Sequence, residues 1–259
     1  MRITLLQTDI VWENKQVNML RLRERLEALS GKTKIVVLPE TFSTGFSMAS
    51  EQLAEPVSGD TIATLLRWAS ELDLALAGSY ISCNEQRTVF YNRAFFLTPE
   101  GRAYFCDKRH LFRMGRESLY FTAGNERRII TYRGWNILLQ VCYDLRFPVW
   151  SRNVDGEYDL LIYVANWPSS RRRVWDVLLQ ARALENMVYV CGVNRIGTDG
   201  EGLAHNGGSV IYSPKGDLLA SVPDDIEGVA TADISLSDLQ TFRAKFPAWR
   251  DADEFRLFR

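Results

Sequence analysis

Apolar and polar positions recur with two different periods along the chain, and each change of period marks a boundary between predicted elements. Residues 2–10 and 34–40 are short apolar runs and are predicted to be strands. Between them, residues 14–31 carry apolar side chains at helical spacing, with Asn14 as the predicted N-cap and Gly31 as the predicted stop. The apolar stripe of this helix is predicted to consist of Val17, Leu20, Leu22, Leu26 and Leu29.

The same alternation continues to the end of the chain. Further helices are predicted at 60–73, 173–186 and 235–246. Further strands are predicted at 74–82, 158–167, 187–197 and 228–234. Segments with a glycine-containing turn between two apolar runs, as in β-hairpins, occur at 89–108, 127–142 and 207–222. Because strand–helix units and hairpins both occur, the pattern predicts an α/β fold with mixed sheets covered by helices.

The order of these elements also bears on domain organisation. A doubly wound dinucleotide-binding fold is disfavoured, since no glycine-rich phosphate loop follows the first strand. No low-complexity linker or change in composition divides the chain, which predicts one domain over residues 1–259. The turn strings TPEGRAYF (98–105) and SPKGDLLA (213–220) are similar and indicate, weakly, two similar halves.

Composition and charge exclude several classes of protein. The 259 residues are 46% hydrophobic, enough for a substantial core without disulfides. The 31 basic and 32 acidic residues leave a net charge of −1, without the basic excess typical of nucleic-acid binding. Four widely spaced cysteines form no CxxC pair, which argues against a disulfide framework or a zinc site. The N-terminal segment does not resemble a signal peptide, and no apolar run approaches a membrane span, so a cytoplasmic location is expected.

Residues 136–150, NILLQVCYDLRFPVW, place a lone cysteine where a predicted strand ends. After Cys142 the chain changes at once to an acid, an arginine and a helix-starting proline. One interpretation is a small core residue, as most unpaired cysteines are. The other is a nucleophile held at a strand-to-helix corner, where nearby amides point at its sulfur. This stretch alone leaves both interpretations open.

A nucleophilic thiol needs a base to take its proton. The chain has two histidines: His110 in CDKRHLF, and His205 in a glycine-rich loop, where a surface or turn position is expected. A Cys–His pair is one alternative. A carboxylate whose pKa is raised by burial is another, and Glu40 ends the predicted strand KIVVLPE. Lys108 ends the predicted strand RAYFCDK in the same manner, although single strand-terminal charges are usually solvated or ion-paired.

Taken together, the three strand ends resemble a known family. VVLPETFSTGF, YFCDKRHLF and QVCYDLRF match, in order and spacing, the signature segments of the nitrilase superfamily of carbon–nitrogen hydrolases. RESLYFTAGN, ANWP and ARALEN match as well, so the resemblance covers essentially the whole chain. It implies a four-layer αββα sandwich, in agreement with the mixed sheets predicted from the pattern. Within the superfamily, VCYDLRFPVWSRN, YVANWP and FPAWRDADEF are most similar to the bacterial ω-amidases, which act on 2-oxoglutaramate and related 2-oxo acid amides.

The resemblance implies roles for five residues. The family's glutamate, lysine and cysteine fall on Glu40, Lys108 and Cys142. Glu40 is then the general base, and Lys108 lowers the pKa of the thiol as a nearby cation. Lys108 and the backbone N–H of Tyr143 are expected to bind the tetrahedral oxyanion. Glu117 matches a second glutamate that positions Lys108 or the substrate amide, and an exposed loop acid is the alternative.

The residues after the nucleophile separate amide from nitrile chemistry. True nitrilases of this family have Trp-Glu there, whereas this chain has Tyr143 and Asp144, which favours an amidase. Asp144 and Arg146 could form an ion pair that fixes the cysteine corner.

A 2-oxo acid substrate also needs a cation for its carboxylate, and ANWPSSRRRVW supplies three arginines beyond a strand end. Arginine suits a carboxylate because its two-pronged guanidinium binds both oxygens. By resemblance Arg171 is the expected carboxylate ligand, whereas Arg172 and Arg173 are expected to be a solvated helix start. The apolar walls of the pocket are expected to include Phe42, Phe112 and Trp167.

The expected activity is that of an ω-amidase, which hydrolyses the terminal amide of 2-oxoglutaramate or 2-oxosuccinamate through a cysteine thioester. The partner is then a small-molecule amide, with no cofactor and no metal required. An amidase acting on aliphatic amides or N-carbamoyl amines keeps the chemistry and changes the substrate. A catalytically silent interaction module of the same fold is a further alternative, against which the intact Glu40, Lys108 and Cys142 argue.

The C-terminal segment 242–259 is rich in large apolar side chains, which is unusual for a free tail. These residues are Phe242, Phe246, Trp249, Phe255, Leu257 and Phe258. The segment is predicted to dock on its own domain or on a second subunit, and the resemblance favours a homodimer.

Overall fold

A computed structural model of the protein describes residues 1–253 and 255, and its two six-stranded sheets pack face to face with helices outside them. The helices are α1 (Lys15–Leu29), α2 (Ser50–Leu53), α3 (Asp60–Leu72), α4 (Pro148–Ser151), α5 (Arg172–Asn186) and α6 (Leu236–Lys245). The strands are β1 (Arg2–Gln7), β2 (Ile35–Val37), β3 (Ala75–Cys83), β4 (Phe90–Leu97), β5 (Ala103–Asp107), β6 (Ile129–Tyr132), β7 (Trp135–Val141), β8 (Leu160–Ala165), β9 (Tyr189–Asn194), β10 (Ile196–Thr198), β11 (Ala204–Asn206), β12 (Val210–Tyr212), β13 (Leu218–Ser221) and β14 (Gly228–Asp233).

Both large sheets are mixed, as the pattern predicted. The first has the order β14–β1–β2–β3–β4–β5 and the second β13–β12–β9–β8–β7–β6. In each sheet three central strands are parallel and the outer strands pair antiparallel. The similar turn strings lie between β4 and β5 and between β12 and β13, which occupy matching edges of the two sheets. The two sheets therefore share one strand arrangement, although the edge strand β14 of the first sheet comes from the C-terminal part of the chain.

Strand β2 shows how the sequence builds the layers. Side chains alternate between the two faces of a strand. Ile35 and Val37 therefore pack in the core between the two sheets, whereas Val36 packs against Leu22 and Leu26 of helix α1 on the outer face. Helices α1 and α3 cover the first sheet in this way, and α5 covers the second. The predicted four-layer αββα sandwich is confirmed.

Helix α1 begins where predicted, since the Asn14 side chain accepts a hydrogen bond from the Val17 N–H at 3.1 Å. Its predicted apolar stripe is wrong at Leu20, which is 63% exposed. The buried face carries Asn18, Leu22 and Leu26 instead. Two residues correspond to about 200° of rotation around an α-helix, so Leu20 lies on the face opposite Leu22.

The pattern did not predict helix α2 or the two-stranded sheet of β10 and β11, whereas helix α4 begins at Pro148, the proline expected to start a helix. Helix α2 and strands β10 and β11 each have three or four residues, too few to establish a period. Within the described part of the chain, no helix has the length and apolar character needed to cross a membrane.

Candidate active site

Three strand ends from two different sheets meet at one end of the sandwich. Glu40 follows β2 and Lys108 follows β5 in the first sheet, and Cys142 follows β7 in the second. The Lys108 Nζ donates a hydrogen bond to Glu40 Oε1 at 2.9 Å. Cys142 lies close enough to both for their charges to act on the pKa of its thiol. The structure thus brings together the three residues that were separated by about a hundred positions in the chain.

The backbone at Cys142 has an unusual conformation. Its φ is +46°, in the left-handed region that residues other than glycine seldom adopt. Such a conformation costs roughly 1–3 kcal/mol and is concentrated at functional sites. Cys142 begins a 3₁₀ turn (Cys142–Arg146), and Tyr143 lies in its first turn, where N–H groups have no partner within the helix. The strand-to-helix corner is therefore present, with a donor group beside the sulfur.

Lys108 is held in a cluster of buried charges. It is 1% exposed, and its Nζ lies 2.9 Å from Glu40 and 3.0 Å from Glu117, neither of which is exposed. Burial lowers the pKa of Lys108, but Glu117 and Glu40 outweigh it, and the pKa rises far above its usual value. Lys108 is therefore a permanent cation at the base of the site.

Glu117 belongs to this cluster and is not an exposed loop acid. Its side chain accepts a hydrogen bond from the Phe112 N–H at 2.5 Å, which ties the 112–117 loop to Lys108. Burial raises the pKa of Glu117 more than Lys108 lowers it. Glu40 and Glu117 are therefore two buried carboxylates held around one ammonium group.

The thiol differs from the expectation of a low pKa. Burial raises the pKa of Cys142 well above its usual value, and the negative charge of Glu40 raises it further. Lys108 lowers the pKa as expected, but by less than the sum of these two effects. Burial and Glu40 therefore favour the protonated thiol over a preformed thiolate at Cys142.

Two asparagines complete the cluster and were missed in the sequence. The Asn92 Nδ2 donates to Glu40 at 2.8 Å and to Glu117 at 3.2 Å. The Asn166 N–H donates to the other Glu40 oxygen at 2.8 Å, and its carbonyl oxygen lies 4.0 Å from the Cys142 sulfur. Asn166 stands at a strand end in ANWP and could have been found by the signal that identified Glu40. Asn92 lies inside β4, where the pattern carries no such signal.

A cavity of about 410 Å³ opens onto Cys142 and Lys108. The expected pocket residues Phe112, Tyr143, Trp167 and Arg171 line it. The residues that line it without having been predicted include Phe46, Met48, Arg116, Arg146, Asn166 and His205. One wall is therefore aromatic, and several cations face the space above the thiol.

Phe42 is not a wall of this cavity, and that prediction is wrong. It is 6% exposed and packs edge-on against Phe95 at 5.9 Å, in the core between the first sheet and its helices. The chain turns sharply at Thr41, where φ is +43°. Phe46 lies in the cavity wall instead, with its ring 4.9 Å from the Lys108 Nζ.

The contacts of the two histidines match neither the Cys–His pair nor the surface position that was expected for His205. His110 stacks on Phe147, and its Nδ1 lies 2.8 Å from Asp144 Oδ1, so its polar contact is with this carboxylate. Asp144 also accepts from the His110 and Val141 N–H groups and forms no ion pair with Arg146 among the described residues. His205 is 3% exposed, not at the surface, and burial lowers its pKa.

Within residues 1–253 and 255, no group of three or more His, Cys, Asp or Glu side chains is positioned to hold a metal ion.

Comparison with known proteins places the chain in a family. The carbon-nitrogen hydrolase family model matches residues 2–244. Omega-amidase YafV of Escherichia coli strain K12 is 44% identical, with 100% of this chain and 99% of that protein covered. The 2-oxoglutaramate amidase of Bacillus subtilis strain 168 is 30% identical, with 96% of each chain covered. The structure of XC1258 from Xanthomonas campestris, a CN-hydrolase superfamily protein with an arsenic adduct in its active site, is 40% identical with a TM-score of 0.96, covering 100% of this chain and 99% of that one. The chain therefore belongs to the carbon-nitrogen hydrolase family of the nitrilase superfamily and is a hydrolase of amide C–N bonds.

Proposed function

We propose that the protein is an ω-amidase, which hydrolyses the terminal amide of 2-oxoglutaramate or 2-oxosuccinamate to the 2-oxo dicarboxylic acid and ammonia. The observation that carries this proposal is the buried cluster of Glu40, Lys108 and Glu117 against Cys142, below a cavity lined by arginines. The 44% identity to an omega-amidase over the full chain supports the same substrate class. The catalytic unit is proposed to be one domain over residues 1–259.

Acylation is the first half of the proposed mechanism. Glu40 takes the proton of the Cys142 thiol as the sulfur attacks the amide carbon, because the raised pKa of the thiol disfavours a preformed thiolate. The developing oxyanion is stabilised by the Lys108 ammonium group and the Tyr143 N–H. The C–N bond then breaks, the protonated Glu40 gives its proton to the leaving nitrogen, and ammonia departs from a thioester.

Deacylation uses the same groups in the reverse direction. Glu40 takes a proton from a water molecule, whose oxygen attacks the thioester carbon. Lys108 and the Tyr143 N–H again stabilise the oxyanion. The C–S bond breaks, the acid is released, and the proton returns to the sulfur of Cys142. Glu117 and Asn92 hold the two catalytic side chains in position throughout these steps. Glu117 accepts a hydrogen bond from Lys108, and Asn92 donates to both Glu40 and Glu117.

Substrate choice can be tested by ammonia release across a panel. It would contain 2-oxoglutaramate, 2-oxosuccinamate, glutamine, hexanamide, an N-carbamoyl amino acid and an aliphatic nitrile. We expect kcat/KM for 2-oxoglutaramate to exceed that for hexanamide by at least roughly tenfold, the value of one charge-assisted hydrogen bond. A preference for hexanamide or for the N-carbamoyl amino acid would replace the ω-amidase proposal with one of these related amidases. No turnover of any compound would favour the silent interaction module.

A homodimer is the proposed assembly. Helices α4 and α5 and the loop between α4 and β8 expose the apolar side chains Val149, Val154, Val177 and Leu184. An exposed apolar patch is typical of an interaction surface. Helix α6 adjoins this surface, since the Arg243 Nε donates to the Met187 carbonyl just after α5. The predicted docking segment 242–259 starts in α6, and Phe246 and Phe255 in it are exposed. Leu257 and Phe258 lie outside the described residues.

Light scattering at micromolar concentration is expected to give the mass of two chains. Leu184→Lys should shift the protein towards the monomer, because it places a charge on the proposed apolar interface. Leu20→Lys is the matched control, since Leu20 is as exposed as Leu184 but lies on α1, which covers the other sheet. A strict monomer for the wild type would contradict the dimer.

A further inference from the structure

The arginines near the cavity differ in whether a carboxylate of the protein is already paired with them and in whether they line the cavity. Arg172 is bound to Asp176 at 2.7 Å and to Asp224 at 2.8 Å, so its charge is already paired. Arg173 and Arg113 are exposed and do not line the cavity. Arg116, Arg146 and Arg171 line it.

Arg146 is distinguished by its position relative to the nucleophile. It is the last residue of the 3₁₀ turn that Cys142 begins, so one short rigid element carries both. Its expected partner, Asp144, is occupied by His110 and by the Val141 N–H. Among the described residues Arg146 has no salt-bridge partner. A partly buried guanidinium group without a counter-ion is costly, and an anionic ligand would remove that cost.

The Arg146 side chain is also held in place. Its guanidinium group lies 5.4 Å from the ring of Trp167, which is 3% exposed. Trp167 is fixed in turn by its backbone N–H, which donates to Asn194 at 2.8 Å, and by its indole N–H, which donates to the Arg171 carbonyl at 2.9 Å. A guanidinium group held beside an aromatic ring still has N–H groups free for the two oxygens of a carboxylate. Preorganisation of this kind reduces the entropy lost on binding.

Arg171 is less firmly supported. Its guanidinium group lies 5.0 Å from the ring of Phe112, which is itself only partly buried in the loop before Glu117. Arg116 is exposed at the mouth of the cavity. The three guanidinium groups therefore differ in how firmly packing holds them. Arg146 alone of the three lies in the 3₁₀ turn that begins at Cys142.

We propose that Arg146 is the principal residue that binds the substrate's carboxylate and so determines specificity for 2-oxo acid amides. Arg171 is the second, outer contact. This inference rests on the proposed ω-amidase function and names the residue that confers it. A substrate whose carboxylate lies on Arg146 places its far, terminal amide towards Cys142. The same contact would discriminate against neutral amides, which leave the guanidinium group without a partner.

The test compares charged and neutral substrates in four variants. Arg146→Ala is expected to lower kcat/KM for 2-oxoglutaramate roughly 10- to 150-fold, mainly through KM, and to leave hexanamide turnover within about threefold. Arg146→Lys should recover only part of the loss, because a point charge cannot reproduce the two-pronged contact. Arg171→Ala should cost less than Arg146→Ala. Arg173→Ala is the matched control and should change neither substrate.

Inhibition gives a readout of carboxylate binding that does not depend on the inhibitor being turned over. Glutarate, a dicarboxylate without an amide, should compete with 2-oxoglutaramate, and its Ki should rise in Arg146→Ala by a factor similar to the loss in kcat/KM. Arg146→Gln, which keeps most of the side-chain volume, replaces the alanine variant should that variant fail to fold.

Three results would overturn the inference. Equal losses for both substrates would make Arg146 structural, no loss for either would place the carboxylate elsewhere, and a larger loss in Arg171→Ala would reverse the two roles. The proposed function fails separately, in the wild type: it is wrong if the unmodified protein does not prefer 2-oxoglutaramate to hexanamide.

Discussion

Cys142→Ala is expected to reduce turnover of every amide substrate to background, because no other group in the proposed mechanism can form the acyl-enzyme. The fold should survive, since a small side chain replaces a small one at the same strained backbone position. Cys142→Ser should be nearly inactive as well. A serine hydroxyl has a much higher pKa than a thiol, so a carboxylate base suited to the thiol is too weak for it. Steady-state ammonia release with 2-oxoglutaramate measures both effects.

Cys106→Ala is the matched control for the nucleophile. Cys106 is the penultimate residue of β5, just before Asp107. Its sulfur donates a hydrogen bond to the Leu139 carbonyl at 3.4 Å. Burial raises the pKa of Cys106 to about 12, so it is an inert thiol. Its alanine variant should keep nearly full activity. Activity close to that of the wild type in Cys142→Ala, with unchanged circular dichroism in both variants, would refute the assignment.

Glu40→Gln and Lys108→Met are each expected to lower kcat by at least about two to three orders of magnitude, the usual cost of losing a general base or an oxyanion donor. The loss should be similar for 2-oxoglutaramate and hexanamide, because both groups act on the thiol and on the amide group that the two substrates share. This pattern separates the two variants from Arg146→Ala, which should affect the charged substrate alone. The kcat and KM of each variant follow from initial rates over a range of substrate concentrations.

Glu40→Gln and Lys108→Met are also expected to lower the stability of the fold, so loss of folded protein must be distinguished from loss of catalysis. Removing one partner of a buried ion pair typically costs about 3–5 kcal/mol, since it leaves a buried charge without compensation. Lys108→Met leaves two buried carboxylates, Glu40 and Glu117, without their shared cation. We therefore expect a lower thermal midpoint in this variant, and activities should be compared well below that temperature.

Glu55→Gln provides a control for the loss of an ion pair elsewhere, one that is only partly buried. Glu55 binds Lys15 and accepts from the Thr61 N–H, away from the cavity. The substitution should lower the thermal midpoint and leave kcat unchanged. Catalytic losses in Glu40→Gln no larger than those in Glu55→Gln would show that Glu40 is structural.

The sequence was sufficient for the parts of the molecule that depend on short-range pattern. The unbroken apolar run of β2 predicted a buried strand, and both of its faces are buried, because a strand that is apolar on both sides needs a layer on each. The positions of Glu40, Lys108 and Cys142 at strand ends followed from the same pattern. Resemblance to the nitrilase superfamily then implied that these ends meet, which the pattern alone does not state.

Local spacing was insufficient where a side chain could face either of two ways. Leu20 was assigned to the buried stripe of α1, yet the packed face of the helix is centred on Asn18 and Leu22. Phe42 follows a motif residue but points into the core, because the left-handed backbone at Thr41 turns the chain. His205 stands in a glycine-rich stretch of sequence but lies in strand β11 and is buried. In each case the direction was set by packing against distant segments.

The chemistry of the site depended most on contacts between distant parts of the chain. Glu40 and Lys108 are 68 residues apart, and the Asn166 N–H that holds Glu40 is 126 residues away from it. The raised pKa of the Cys142 thiol arises from burial and from Glu40, neither of which is a property of the cysteine's own neighbours in sequence. Sequence thus specified which groups are available and at which strand ends. Their protonation, and the exposure of Arg146 to the cavity, were decided by the packing of two sheets, because burial and charge pairing exist only when those sheets meet.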